Sequence, residues 1–199
     1  MTNIGNENRI DIMVDLETLG LKDDSTVFQV SAVMFNINNG KIKSVFNKII
    51  DIEKEDMIVD GNTIKWWLKT DKELLDKLIN DNNSLPASKV WELFNEWVNY
   101  GIKYTHLTNK NIYLWGNGIL FDNQKIKTQM EKFGIKYPIH YTNDRDVRTI
   151  LDLACDKTCF SYDEIKAEVA DENETKHDAL DDCKYQVRLV NFCYNILMK

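Results

Sequence analysis

The sequence contains no apolar run long enough to cross a bilayer; residues 30–35 are typical of its longest, against about 20 needed for a spanning helix. Residues 1–9 are polar with no apolar signal region, and are expected to be flexible. Positive charge is scarce: 25 Lys+Arg stand against 32 Asp+Glu, a formal net charge of −7. This excludes a protein that grips long nucleic acid by bulk charge, because that affinity comes from many Lys/Arg–phosphate contacts. Only four Cys occur, irregularly spaced, and read as reduced, buried thiols without the paired short motifs of structural zinc. His106 and His140 have no carboxylate or Cys at ligand spacing, so they read as ordinary loop or strand residues. The Gly116-x-Gly118 pair lacks the third glycine of a dinucleotide fingerprint, and there is no Gly-x-x-x-x-Gly-Lys loop or Gly-x-Ser-x-Gly elbow. Repeats, low-complexity tracts and linkers are also absent. The expectation is one domain over residues 1–199, cytoplasmic and with no membrane partner.

What is present is enough for a core without staples. Five Trp, eight Tyr and eight Phe offer apolar surface that argues against disorder. Residues 10–15 form an apolar run ending in carboxylates, residues 27–37 are rich in Val, Phe and Ile, and Asn38-Asn39-Gly40 is a turn signal before the alternating segment 41–50. These read as three neighbouring strands in a meander. Helical spacing then takes over at Ile64, Trp67 and Leu68, continues through Leu74, Leu75, Leu78 and Ile79, and breaks at residues 80–84. Pro86 starts a helix with Val90, Trp91, Phe94, Trp97 and Val98 on one side, so Trp91 and Trp97 read as packing. A short strand is expected over 111–115, a helix over 119–133 stopped by Gly134, a strand near 139–142, and helices over 147–154 and 178–198. Lys125, Lys127 and Lys132 read as an exposed helix face. The order β-β-β-α-α-β-α-β-α-α implies an α/β fold, a mixed sheet with helices packed against it.

Three groups of carboxylates stand at element ends. Asp15 and Glu17 leave a strand two residues apart, hence on one face. Carboxylates that close raise each other's pKa unless a cation lies between them. Asp122 follows the glycine loop 116–118 at the start of a helix, and Asp178 and Asp182 are one turn apart behind His177. Taken singly, each group has a structural reading: solvated acids at a strand end, or acids favouring the positive end of a helix dipole.

Together they resemble one family. Asp15-Leu16-Glu17-Thr18, the segment from Asn117 to Asp122, and His177-x-Ala179-x-x-Asp182 are similar, in order and spacing, to the three motifs of the DEDDh 3′→5′ exonucleases. Asp60-Gly61-Asn62-Thr63-Ile64-Lys65-Trp66-Trp67-Leu68 and Asn143-Asp144-Arg145-Asp146-Val147-Arg148-Thr149 resemble the subgroup of phage exodeoxyribonucleases and related bacterial exoribonucleases. The resemblance implies a ribonuclease H-like mixed sheet, an antiparallel meander plus parallel strands, flanked by helices. It implies a metal-dependent enzyme in which Asp15, Glu17, Asp122 and Asp182 hold two divalent cations and His177 is the general base. Hard carboxylate oxygens suit Mg²⁺ or Mn²⁺ rather than Zn²⁺, and an unperturbed imidazole pKa of about 6.5 suits proton transfer near neutral pH. Cations would neutralise both the carboxylates and the phosphate, so an acidic protein can work on an acidic substrate.

By the same resemblance Thr18, Leu19 and Gly20 meet the terminal sugar and wedge against its base, with Asn117 in the substrate loop. Phe121 and Trp66 are candidates for base stacking, although adjacent Trp66 and Trp67 cannot share one helix face, so one of them belongs to the core. Arg145 and Arg148 either meet phosphates or pair with Asp144 and Asp146. The expected activity is release of nucleoside 5′-monophosphates from a single-stranded or frayed 3′ end, DNA slightly favoured. An exoribonuclease is the alternative, and an inert end-binding module a remote one. Dimers are frequent among similar enzymes, and Phe192, Cys193, Tyr194, Ile196 and Leu197 make the last helix apolar enough for core or for a homodimer interface. If phage-encoded, the protein would act in the host cytoplasm.

Overall fold

The computed structural model describes residues 8–105 and 107–199. His106 and most of the segment expected to be flexible therefore lie outside the described residues. Among the described residues, five strands are ordered β3-β2-β1-β4-β5 in one sheet. Strands β1 (Ile10–Thr18), β2 (Val27–Phe35) and β3 (Ile42–Ile49) form the antiparallel meander, while β4 (Ile112–Gly116) and β5 (Asp144–Asp146) add in parallel on the other side of β1. β1 is thus central, and every residue of it is buried except Asp15, which is half-buried.

Period-two alternation sends the even residues of β1 to one core and the odd ones to another. Ile10, Ile12, Val14 and Leu16 pack with Val90, Trp91, Phe94 and Val98 of α3 (Ala87–Thr105) and with Ile126 and Met130 of α4 (Asp122–Lys132). Met13 packs on the opposite face with Ile150 and Leu151 of α5 (Val147–Thr158) and with Cys183, Val187 and Val190 of α7 (Ala179–Met198). A third core gathers Leu19, Phe28 and Trp67 beneath α1 (Gly61–Thr70) and α2 (Lys72–Ile79). In this arrangement the C-terminal end of β1 emerges between α1, α4 and α7.

Several expectations are corrected. The segment 62–79 is two helices, because Asp71 ends α1 and caps α2 through its carboxylate on the Leu74 N–H. The fifth strand is Asp144–Asp146, not 139–142; Thr142 lies in a turn, and Asp144 is fixed by the Asn123 amide and the Tyr137 hydroxyl. α4 begins at Asp122, after a turn over 119–121. A short helix α6 (Tyr162–Glu168), started by a Ser161/Glu164 capping box, was not expected. Lys127 and Lys132 are exposed as anticipated, whereas Lys125 is fully buried. All four Cys are free, but only Cys183 and Cys193 are buried; Cys159, in the left-handed conformation at the end of α5, is exposed. Phe192, Tyr194, Ile196 and Leu197 pack against the second core. No helix among the described residues is long and apolar enough to cross a membrane.

Candidate active site

Strand geometry delivers the first two acids. Asp15 and Glu17 lie on the α7 side of β1, and Asp182 reaches them from the first turn of α7. One carboxylate oxygen from each of the three lies within 4.8 Å of the others. The approach of α7 is set by small and polar contacts. Ala179 is fully buried, and its N–H donates to Gln29 Oε1 of β2 at 3.2 Å. The Asp178 carboxylate caps the helix through the N–H groups of Leu180 and Asp181. Gln186, one turn beyond Asp182, donates to Asp15 Oδ1 at 2.8 Å.

Asp122 comes from the other side. Gly116 ends β4, and a Cβ there would lie 2.4 Å from Asn123 Oδ1 and 3.2 Å from Asp122 Cβ. Only glycine lets α4 start this close to the sheet. Asn123 then anchors the turn by donating to Leu114 O at 3.1 Å and to Asp144 Oδ1 at 2.7 Å. The backbone N–H groups of Asn117 and of Asp122 itself point at the Asp122 carboxylate. The side chain of Asn117 is exposed.

The electrostatics show four acids in one another's field. Burial pushes the Asp15 carboxyl well above the usual range, and the charges of Asp122, Glu17 and Asp182 push it further, against the Gln186 hydrogen bond. Glu17 is pushed up to about 9, by burial first and then by Asp182, Asp178 and Asp122. Burial lifts Asp122 to about 7 in spite of the cations Arg148 and Lys125. Asp182 is also raised by burial, offset by His177. Glu17 is only 8% exposed and no hydrogen-bond donor reaches its carboxylate among the described residues. Hard oxygen donors that are buried, convergent and mutually repelling fit divalent cations, which would remove the repulsion that now favours protonation.

His177 has φ +65°, the left-handed region, and its N–H donates to Asp182 Oδ2 at 3.2 Å. This ties the loop before α7 to a carboxylate of the cluster. The imidazole stands edge-on to Trp66, with ring centroids 4.9 Å apart. Trp67 is the core member of the pair: it is 1% exposed and its indole N–H donates to Thr18 O at 3.1 Å. Trp66 is 43% exposed. It lines a cavity of about 520 Å³ beside Glu17, together with Thr18, Leu21, Asn62 and Phe121. A second cavity, of about 410 Å³, is lined by His177, Asp182 and Tyr185 among others.

Leu19 and Gly20 do not line the 520 Å³ cavity; Leu19 is buried in the third core, and Gly20 packs against Ser25 and Asp60. Leu21, 71% exposed, takes the rim position. Its loop is held from α4, where Lys125 Nζ donates to the carbonyls of Gly20 and Lys22 and sits 4.8 Å over the Phe121 ring, and Gln129 donates to Ser25 O. Arg145 is not brought to the carboxylates. Its guanidinium donates to the carbonyls of Thr142 and Asp144 and lies 4.7 Å over Tyr113, which pairs with Asp11. Asp11 precedes Asp15 by about 13 Å of strand. Gln186 and Gln29 were missed by sequence reasoning; the four-residue step from Asp182 to Gln186 is the signal that would have found the first.

No curated protein matches the sequence. Among solved structures, cell-death related nuclease 4 (CRN-4) superposes with a TM-score of 0.67 at 18% identity, over 94% of this chain and 64% of that one. Exonuclease I from Methylocaldum szegediense gives 0.65 at 15% identity, over 92% of this chain and 40% of that one. The nuclease domain of 3′hExo, a DEDDh family member solved with rAMP, gives 0.57 at 13%, over 92% and 90%. The chain thus spans less than two thirds of the first two structures, and at these identities the likeness is one of fold, the ribonuclease H-like α/β sheet. A family model described as the 3′-5′ exoribonuclease Rv2179c-like domain matches residues 10–194. Nearly the whole chain is matched, and it belongs to this family.

Proposed function

We propose that the protein trims the 3′ end of a single strand, releasing nucleoside 5′-monophosphates, with Asp15, Glu17, Asp122 and Asp182 holding two divalent cations and His177 as general base. The observation that carries this reading is the convergence of three carboxylate oxygens within 4.8 Å beside His177 and a cavity of about 520 Å³. Mg²⁺ or Mn²⁺, when bound, would supply charge neutralisation at the phosphate and Lewis acidity toward water. The chain supplies the rest. Glu17 and Thr18 line the cavity, and Trp66, Leu21 and Phe121 offer apolar surface on which the terminal base stacks, a contact worth about 1–3 kcal/mol. The exposed Asn117 borders the entry of the strand. A water oxygen attacks phosphorus as His177 takes the water's proton, and the P–O3′ bond breaks, the departing 3′ oxygen taking a proton from solvent to become a 3′-hydroxyl. The left-handed backbone at His177 and the Trp66 contact fix the imidazole for that transfer.

The family description favours RNA as the substrate, in place of the slight preference for DNA that the phage-type likeness of the sequence suggested. The choice between the two sugars rests on how the site treats the 2′-OH. The test is a time course on matched DNA and RNA single strands, labelled at the 3′ or the 5′ end, with and without EDTA. Immediate release of a labelled mononucleotide from the 3′-labelled strand, abolished by EDTA, is the expected result, with RNA degraded faster. Internal fragments, or cleavage that survives EDTA, would overturn the reading.

A further inference from the structure

We propose that Arg148 is the residue that grips the substrate backbone, holding the phosphate one nucleotide upstream of the bond being cleaved. This rests on the exonuclease reading above and adds a binding contact to it. The site is built of carboxylates in a chain of net charge −7, so any fixed cation beside it has a disproportionate effect on where a polyanion lies. Two cations act on Asp122. Lys125 is fully buried and spends its ammonium on the carbonyls of Gly20 and Lys22. Arg148, which lowers the Asp122 pKa more than Lys125 does, is exposed.

The Arg148 guanidinium has no acceptor and no ion-pair partner among the described residues. Only its backbone N–H is engaged, to Asp146 Oδ1 at 2.8 Å. The group is nevertheless held. A Cβ built on Gly118 would lie 3.4, 3.4 and 3.5 Å from its Cζ, Nη1 and Nη2. Three nearly equal distances mean that the planar face rests against the glycine, whose φ of +118° few other residues adopt. A guanidinium held by its face keeps its N–H edge free, and that edge matches a phosphate with two parallel hydrogen bonds. Neither Gly118 nor Arg148 lines the cavity proposed for the terminal base or the cavity beside His177. What reaches the Gly118 loop is the continuing strand, on the far side of the scissile phosphate from its terminal base.

The experiment compares the wild type with Arg148→Gln and Arg148→Lys on a dinucleotide, which has only the scissile phosphate, and on a trinucleotide, which also has the upstream one. For Arg148→Gln, KM for the trinucleotide should rise about ten- to a hundredfold, the loss of a charge-assisted contact, while the dinucleotide KM stays unchanged. Arg148→Lys should recover part of the loss. On a longer strand, the slope of log(kcat/KM) against log salt should become shallower by about 0.7, one phosphate contact. An equal loss on the dinucleotide would mean that Arg148 acts through Asp122, and an unchanged trinucleotide KM would mean that it touches no phosphate; either overturns the inference. Anisotropy of a labelled trinucleotide gives the same comparison without turnover. A wild type that binds but does not hydrolyse sinks the exonuclease reading, whereas equal binding by Arg148→Gln sinks this one.

Discussion

Replacing Glu17 by Gln should make the metal-free protein more stable in alkali while destroying its activity. The unfolded Glu17 titrates near its ordinary 4.5, and the folded one at about 9, so between those values the folded state carries a proton that the unfolded state has lost. Stability from this group is therefore fully present below about pH 4.5 and falls as pH rises, the loss being complete above about 9. From pH 4.5 to pH 7 the interval is 2.5 units at about 1.4 kcal/mol each, on the order of 3 kcal/mol. Asp15 and Asp182, raised by the same burial and repulsion, share in it. Gln has nearly the same shape and no charge to bury. In EDTA, wild-type melting temperatures should fall steeply from pH 5 to pH 9, and those of Glu17→Gln much less. At about 2–4 °C per kcal/mol for a chain of this size, the variant should melt several degrees above the wild type at pH 9. The exposed Glu96 of α3 supplies the control, Glu96→Gln, for the general effect of removing one negative charge. Saturating Mn²⁺ should restore the wild type, by about 2.7 kcal/mol at a hundred times Kd, and act weakly on Glu17→Gln. Parallel pH profiles for Glu17→Gln and wild type would refute the picture of buried, mutually repelling carboxylates.

Asp15→Asn, Asp122→Asn and Asp182→Asn should each lower turnover with Mg²⁺ by several orders of magnitude, read from 3′-labelled strands; normal turnover in Asp15→Asn would remove the metal assignment. His177→Ala should lower kcat far more than it changes the Mn²⁺ concentration for half-maximal rate, since among the described residues its contact with a carboxylate is through the backbone N–H. Gly116→Ala places a methyl 2.4 Å from Asn123 Oδ1 and 3.2 Å from Asp122 Cβ; it should cost about 1–3 kcal/mol in denaturant unfolding and reduce kcat by displacing Asp122.

Much of the fold was legible because burial wrote its period into the chain. The meander follows from alternation in residues 10–50 and the Asn38-Asn39-Gly40 turn, and the stripe Val90, Trp91, Phe94, Val98 marks α3 as a core helix. The site was legible because each acid stands where one element ends and another begins. What was not legible depends on segments far apart in sequence. Lys125 lies in a helix so polar that it reads as exposed, yet the loop through Gly20 and Lys22, about a hundred residues earlier, closes over it and its carbonyls accept the ammonium's hydrogen bonds. Residues 139–142 have strand-like Ile, Tyr and Thr, but the strand that forms is the polar Asp144–Asp146. Its place is decided by Asn123 and Tyr137 binding Asp144, not by its own propensity.

The two arginines of the Asn143–Thr149 segment show how a small change of conformation divides residues that look equivalent in sequence. Arg145 is in β5 and pairs in register with Trp115, so strand geometry carries its side chain back toward Tyr113 and the Asp11 end of β1. At Asp146 the chain turns from extended to helical, φ −110° and ψ 124°, and the carboxylate of that residue caps the new helix on the Arg148 N–H. Arg148 is therefore the second residue of a helix that starts beside the Gly116–Gly118 loop, and its side chain comes back over Gly118 toward Asp122. A strand continued for two more residues would have turned Arg148, three positions on from Arg145, to the opposite face of the sheet, away from Asp15 and Glu17. The strand-to-helix switch at Asp146 thus decides which arginine stands beside the carboxylates, and a motif read letter by letter could not divide the two.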